Sequence, residues 1–209
     1  MELIKNLEWR YATKKFDPSK KINGSDLTLL KKSVQLSVSS YGLQLYKVLI
    51  IEDAATKERL KAASWNQSQI TDASRLFVFC NYSNVFPQDI DEYIQQLSVS
   101  RQIPIESLEK YRHFMMDKIN EKPAVELKNW LEKQPYIALS NLLMACAELK
   151  IDACPMEGFD AAQYNNILNL EEQRLNACVI APVGYRSSED TTQFLEKVRK
   201  SEDRLFEHI

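Results

Sequence analysis

Two near-continuous apolar runs, RLFVFCNY at 75–82 and LNACVIAPVGY at 175–185, constrain the fold more than any other feature of the chain. A strand with one wet face alternates apolar and polar residues, and these runs do not, so each is buried on both faces. The sheet they belong to therefore carries helices on both sides. LYKVLIIE at 45–52, dominated by β-branched and other apolar residues, reads as a third strand.

The stretch Ile137–Leu149, IALSNLLMACAEL, has only Ser140, Asn141 and Glu148 as polar residues. A helix apolar on nearly every face is buried either in the domain centre or against a second subunit, which makes a homodimer the expectation. Pro135 either opens this helix or kinks a longer one begun near Ala124. Amphipathic helices are expected at LIKNLEWR (3–10) and SDLTLLKKSVQLS (25–37), the second with Ser25 as N-cap. Asp53 caps a helix to about Ala63, and Asp160 caps AAQYNNIL. Residues 86–122 are polar, helical and contain Pro87 and Pro104, as an appended layer or lid. With no repeat or low-complexity linker, residues 1–209 read as one domain with a sheet inside helical layers.

Apolar residues at 44% and charged residues at 27% exclude a disordered chain. A formal net charge of −2 gives no support to nucleic-acid binding, although a local basic site is compatible with it. No window holds the roughly 20 consecutive apolar residues of a membrane span, and MELIKNLEWR lacks a signal-peptide core, so no membrane association and a cytoplasmic location are expected. Cys80, Cys146, Cys154 and Cys178 are scattered among apolar neighbours and read as reduced core thiols. His113 and His208 are too few and too distant for zinc, and no metal is expected.

The four glycines, Gly24, Gly42, Gly158 and Gly184, build no G-x-G-x-x-G or Walker-type loop and no G-x-S-x-G. With two histidines, a Ser-His-Asp or Cys-His unit has almost no base available. If the chain is an enzyme, an organic cofactor carries its chemistry. RYATKKF at 10–16 places Arg10, Ala12 and Lys14 on one face of an extended segment, as a phosphate grip or as a solvated basic loop. Lys197 and Arg199 repeat that spacing, either sharing one anion with the first cluster or decorating the surface. SVSSYGLQLYKV at 37–48 offers several hydrogen-bonding groups, or is an ordinary Ser/Gly turn. In ACPMEGFDAA at 153–162, Glu157 lacks a partner for general acid or metal work, and Asp160 is the better cap.

In their order and spacing, RYATKKFDPSKKI, the S-x-S-S-x-G-x-Q of 37–44, YIALSNLLMACAELKIDACPMEGFDA and the terminal K-x-R resemble the nitroreductase family of FMN-dependent oxidoreductases. The likeness is to its oxygen-insensitive NAD(P)H nitroreductase and dihydropteridine reductase branch, over nearly the whole chain. It implies an α+β three-layer sandwich, with a central mixed, mostly antiparallel sheet flanked by helices, in a domain-interlocked homodimer with two FMN molecules at the subunit interface. Arg10, Lys14, Lys197 and Arg199 would grip the flavin phosphate and ribityl chain, with Tyr11 and Ala12 beside them. Ala12 stands where a serine is frequent.

Ser39 and Ser40, flanked by Val38 and Gly42, match a loop that reaches the flavin from the partner subunit. Gly42, Leu45 and Tyr46 depart from the asparagine, proline and tryptophan common there. Asn66 and Gln134 match flavin neighbours, and Gln69 falls where some relatives place a lysine. Pro155, Met156, Glu157 and Gly158 would run alongside the ring, the Glu157 amide facing the nitrogen that accepts hydride. Tyr41, Trp65 and Met116 align with substrate-pocket positions. The implied reaction is ping-pong hydride transfer from NADH or NADPH to nitroaromatics, quinones or similar acceptors, the flavin carrying the chemistry with no catalytic side chain. An FMN or quinone reductase on the same fold, or a flavin-binding dimer with little turnover, are the alternatives.

Overall fold

The computed structural model describes all 209 residues. In chain order the elements are α1 (Glu2–Trp9), α2 (Gly24–Gln35), β1 (Tyr46–Ile51), α3 (Ala54–Ala62), α4 (Gln69–Asp72) and β2 (Arg75–Tyr82). They continue with α5 (Pro87–Arg101), α6 (Glu109–Asn120), α7 (Ala124–Glu148), β3 (Asp152–Ala153), α8 (Ala161–Ile167), β4 (Leu175–Gly184) and α9 (Glu202–Leu205).

The sheet has the order β1-β2-β4-β3 and is antiparallel throughout. Its one parallel contact comes from outside the strands, where Ala12 bridges Ala153. The two apolar runs form the central strands β2 and β4, as their double-sided burial requires. Leu76, Val78 and Cys80 pack with Leu60 of α3 and Tyr164 of α8. Phe77 and Phe79 face the other way, onto Leu30 of α2 and Ala138 and Leu142 of α7. Burying each such large side chain contributes about 1.5–3 kcal/mol, so this three-layer core holds the site's scaffold rigid.

The pairing slips once: Phe79 opposes Val179 while Cys80 opposes Ala177, which leaves Cys178 as the extra residue of a β-bulge. Its thiol turns to the Glu132 carbonyl, 3.4 Å away. All four cysteines are free, three of them buried and Cys178 half-buried.

Helix α7 runs unbroken through Pro135, so the apolar run is the C-terminal half of a helix begun at Ala124. One face, with Leu131, Ala138, Leu139 and Leu142, is buried, but Ile137 and Met144 on the other remain 37% and 40% exposed. The protomer alone therefore does not bury this helix on every side. The N-cap of α2 is Asn23 rather than Ser25: its side-chain oxygen accepts the Asp26 N–H at 2.8 Å, and Ser25 donates to it. Asp53 and Asp160 cap α3 and α8 as read from the sequence.

The 86–122 excursion is helical and has its own small core of Ile90, Ile94, Leu97, Leu108, Met115 and Ile119. Its base is fastened by Asp89, which pairs with Arg174 at 3.0 Å and accepts the Phe86 N–H at 2.8 Å. No helix is long and apolar enough to cross a membrane.

Candidate active site

The segment after α1 is extended, pinned by the bridges Ala12 to Ala153 and Phe16 to Arg186. Asp190, only 2% exposed, organises it. Its carboxylate accepts the Tyr11 hydroxyl at 2.9 Å, the Lys14 and Lys15 main-chain N–H groups at 2.7 and 3.1 Å, and the Thr192 N–H at 3.0 Å. Burial alone would raise its pKa, but these donors outweigh burial and hold it below the ordinary value. Asp152, also buried, takes the Arg186 N–H and guanidinium, both at 2.8 Å. The Arg186 guanidinium in turn lies over the rings of Trp9 and Tyr11. Sequence reasoning missed all three: Arg186 and Asp190 sit in a short polar stretch that reads as a solvated loop, and Asp152 is a lone carboxylate between Ile151 and Ala153.

With those carboxylates committed to the loop, four of the basic side chains around them have no carboxylate partner. Lys15 pairs with Glu189 and Arg186 with Asp152, whereas Arg10, Lys14, Lys197 and Arg199 form no ion pair. The structure brings the two ends of the chain to one locus. Burial first, then the charge of Arg199, lowers the Arg10 pKa. Lys197 is likewise lowered by burial and then by Arg10, Arg199 and Arg186, while its ammonium donates to the Glu8 carbonyl. Cys154 sits in the field of Lys14 and Arg10, although burial dominates and pushes its thiol up. A concentrated positive charge without an anion is a site for one.

The segment after Cys154 leads away from this cluster. Met156 is locked to Ile180 by reciprocal bonds of 2.8 and 3.1 Å, and beyond it the pairing stops. The N–H groups of Glu157 and Gly158 find no acceptor in the chain. Gly158 carries no side chain because there is no room for one: a Cβ would lie 2.7 Å from the Trp65 ring and 3.1 Å from the Gln67 amide nitrogen. Gln67 donates to the Gly158 carbonyl at 2.9 Å, which ties the 63–68 turn to this loop.

In that turn Trp65 and Asn66 both adopt left-handed φ values, 52° and 58°, a strain of the kind found at functional sites. Trp65 is 69% exposed. Gln69 is a largely buried residue, and its side-chain amide, like that of Asn66, makes no hydrogen bond within the chain. The Glu157 carboxylate accepts the Tyr136 hydroxyl at 2.6 Å. Tyr136 escaped the sequence reading, since nothing separates it from the apolar run it opens.

The serine loop lies elsewhere. Ser40 donates its N–H to the Gln134 side-chain oxygen at 2.9 Å, and the Ser39 hydroxyl accepts the Gln44 N–H. Gly42 has φ of 78°, and a Cβ there would lie 2.9 Å from the Tyr93 hydroxyl, which accounts for a glycine at this position. Tyr41 turns its ring onto Phe114 and Trp130, with Met116 against the same cluster, so these two pocket candidates meet in the excursion while Trp65 stays beside Gly158. Val38 is exposed. Gln134 and Tyr136, two residues apart at about 100° each, point to opposite sides of α7. The serine loop and the Glu157 loop therefore flank that helix from different sides.

The donor set fits an elongated ligand with a phosphate at one end and a planar, hydrogen-bonding ring at the other, which is the chemistry of FMN. The cations without carboxylates could hold the phosphate, and the free N–H groups and side-chain amides could hold the ring.

A profile of the nitroreductase family matches residues 7–185. The chain is 34% identical over 218 residues to a provisionally named NAD(P)H nitroreductase of Staphylococcus haemolyticus, covering 99% of this chain and 97% of that protein. It is 33% identical over 206 residues to the major NAD(P)H-flavin oxidoreductase of Aliivibrio fischeri, covering 95% and 94%. Among solved structures, a nitroreductase-like protein of Streptococcus mutans superposes with a TM-score of 0.87 at 18% identity, covering 100% of this chain and 98% of that one. A protein of Exiguobacterium sibiricum in complex with FMN superposes at 0.85 and 17% identity, with the same coverages.

Proposed function

The chain belongs to the nitroreductase family, and from that premise we propose that it is an FMN-dependent NAD(P)H oxidoreductase reducing nitroaromatics, quinones or similar acceptors by a ping-pong cycle. The observation that carries the reading is a set of groups open to a ligand: four cations without carboxylates, two consecutive main-chain N–H groups without acceptors, and the side-chain amides of Asn66 and Gln69 without partners. When bound, FMN would supply the hydride-transfer chemistry between reduced nicotinamide and the acceptor.

The protein's part is to bind and orient. Arg10 and Arg199 offer planar guanidinium forks to the phosphate, and Lys14 and Lys197 add point charges. The Glu157 N–H is the donor for the ring nitrogen, with Gly158 beside it, and Asn66 and Gln69 are donors for the ring edge. Trp65 borders the open side. Tyr41 and Met116 belong to the excursion, which supports a role for that segment over the acceptor pocket.

Two half-sites on opposite sides of α7 support a homodimer in which Ser39 and Ser40 complete the partner's flavin site. The apolar surface left on Ile137 and Met144, and on Phe194, Leu195 and Val198 of the C-terminal tail, supports the same assembly. Four free thiols favour a reducing, cytoplasmic setting. The name of the Aliivibrio fischeri relative favours free flavin as a further acceptor.

Anaerobic stopped-flow reduction with NADH and with NADPH, then reoxidation by nitroaromatics, quinones and free FMN, tests the reading. Bleaching of bound flavin by a nicotinamide and its return with an acceptor are expected. Yellow protein that neither nicotinamide bleaches would be a flavin-binding dimer without this turnover.

A further inference from the structure

We propose that Tyr136 is a positioning residue of the flavin site, its hydroxyl holding Glu157 so that the free N–H groups of the 157–158 loop stay aimed outward. This inference rests on the FMN reading above and deepens it.

The fixed part of the segment ends at Met156, whose two main-chain bonds to Ile180 are the last of the pairing. Past that point the Glu157 carboxylate has one side-chain tie to the rest of the chain, the 2.6 Å bond from Tyr136. The anchor is stiff: Tyr136 follows the buried Gln134 and Pro135, inside a 25-residue helix whose inner face lies in the core. Beyond Met156 the loop is tied through main-chain groups by Gln67 on the Gly158 carbonyl and by the Asp160 N–H on the Ala63 carbonyl, and through a side chain at Glu157 by Tyr136 alone.

The bond also has an electrostatic effect. An untied carboxylate beside a ring that gains negative charge on reduction would oppose that reduction. A phenol donor holds the carboxylate in one place and disperses its charge. Burial, and then the Glu157 bond itself, raise the Tyr136 pKa, so the phenol stays protonated as a donor at neutral pH.

Flavin-free protein titrated with FMN, followed by fluorescence quenching, and the midpoint potential of the bound flavin test this for Y136F, E157A, E157Q and the Y136F/E157A pair. Y136F and E157A are each expected to weaken FMN about 5- to 10-fold, the loss of one hydrogen bond to a charged group, discounted for exposure. The double variant is expected to be no weaker than the weaker single one, because both remove the same bond. E157Q, whose amide oxygen accepts the same phenol, is expected to stay within about 2-fold of the parent.

Thermal midpoints control for folding, as both side chains lie at the surface. FMN binding by Y136F within 2-fold of the parent, or losses that add in the double variant, overturn the proposal while leaving the functional reading intact. A parent chain that does not bind FMN overturns both.

Discussion

Replacing Asp190 by asparagine removes the charge around which the extended segment after α1 is folded. The carboxylate receives four donors, from Tyr11, Lys14, Lys15 and Thr192. An asparagine has one acceptor oxygen, so in its better orientation it keeps the first three and turns an NH2 group against the Thr192 N–H. A hydrogen bond to a charged group is worth about 1.5–3 kcal/mol and a neutral one about 0.5–1.5 kcal/mol. One bond is lost outright and three weaken, while relief from burying a charge offsets part of this, which leaves a net cost of about 2–3 kcal/mol. For a domain of this size that lowers the Tm by about 4–12 °C.

The pH dependence has a definite sign. The folded pKa of Asp190 lies below its unfolded value of about 3.9, so its contribution is fully present above that value and is lost as pH falls through the folded pKa. Calorimetry of parent and variant at pH 7 and at pH 3 is then expected to show a large Tm gap that narrows on acidification. A gap under about 1 °C at pH 7, or one that widens toward pH 3, would refute the reasoning.

Gly158→Val places its branch against the Trp65 ring and the Gln67 amide and is expected to weaken FMN about tenfold or more, read by equilibrium dialysis. Gln69→Lys puts a cation at a buried amide position and is expected to raise the midpoint potential of bound FMN, at about 30 mV per 1.4 kcal/mol of added attraction to the reduced ring. An unchanged potential would separate Gln69 from the ring. Gly42→Ala, at a φ of 78° and against Tyr93, is expected to cost about 1–2 kcal/mol by thermal unfolding, with part recovered by Tyr93→Phe.

The central strands were legible because double-sided burial leaves no polar alternation, and β2 and β4 lie where the apolar runs predict. Asp53 and Asp160 were legible as caps because their chemistry is local. What is local in chemistry but ambiguous in placement fared worse: Asn23 and Ser25 are both good caps, and the backbone chose the one in extended geometry. The two-residue β3 has no periodicity to read.

The same division runs through the site. Arg10, Lys14, Lys197 and Arg199 announce themselves as charge, and the fold brings the two ends of the chain together. Arg186 and Asp190 are also charged residues in a polar stretch and Asp152 is a lone charge among apolar neighbours, and only the tertiary structure shows that the two carboxylates are buried and serve main-chain donors. The Tyr136–Glu157 bond joins a helix to a loop 21 residues away, a pairing without a sequence signal. The sequence shows at 158 only a glycine, and the structure shows the Trp65 ring where its side chain would lie.

The central claim, that the unpaired cations of both chain ends hold the phosphate of a flavin, is tested most directly by titrating flavin-free protein with FMN and with riboflavin. Saturation at one FMN per chain is expected, with riboflavin weaker by about 100-fold, the worth of roughly two charge-assisted hydrogen bonds. Equal affinity for the two flavins, or no binding of either, would contradict it.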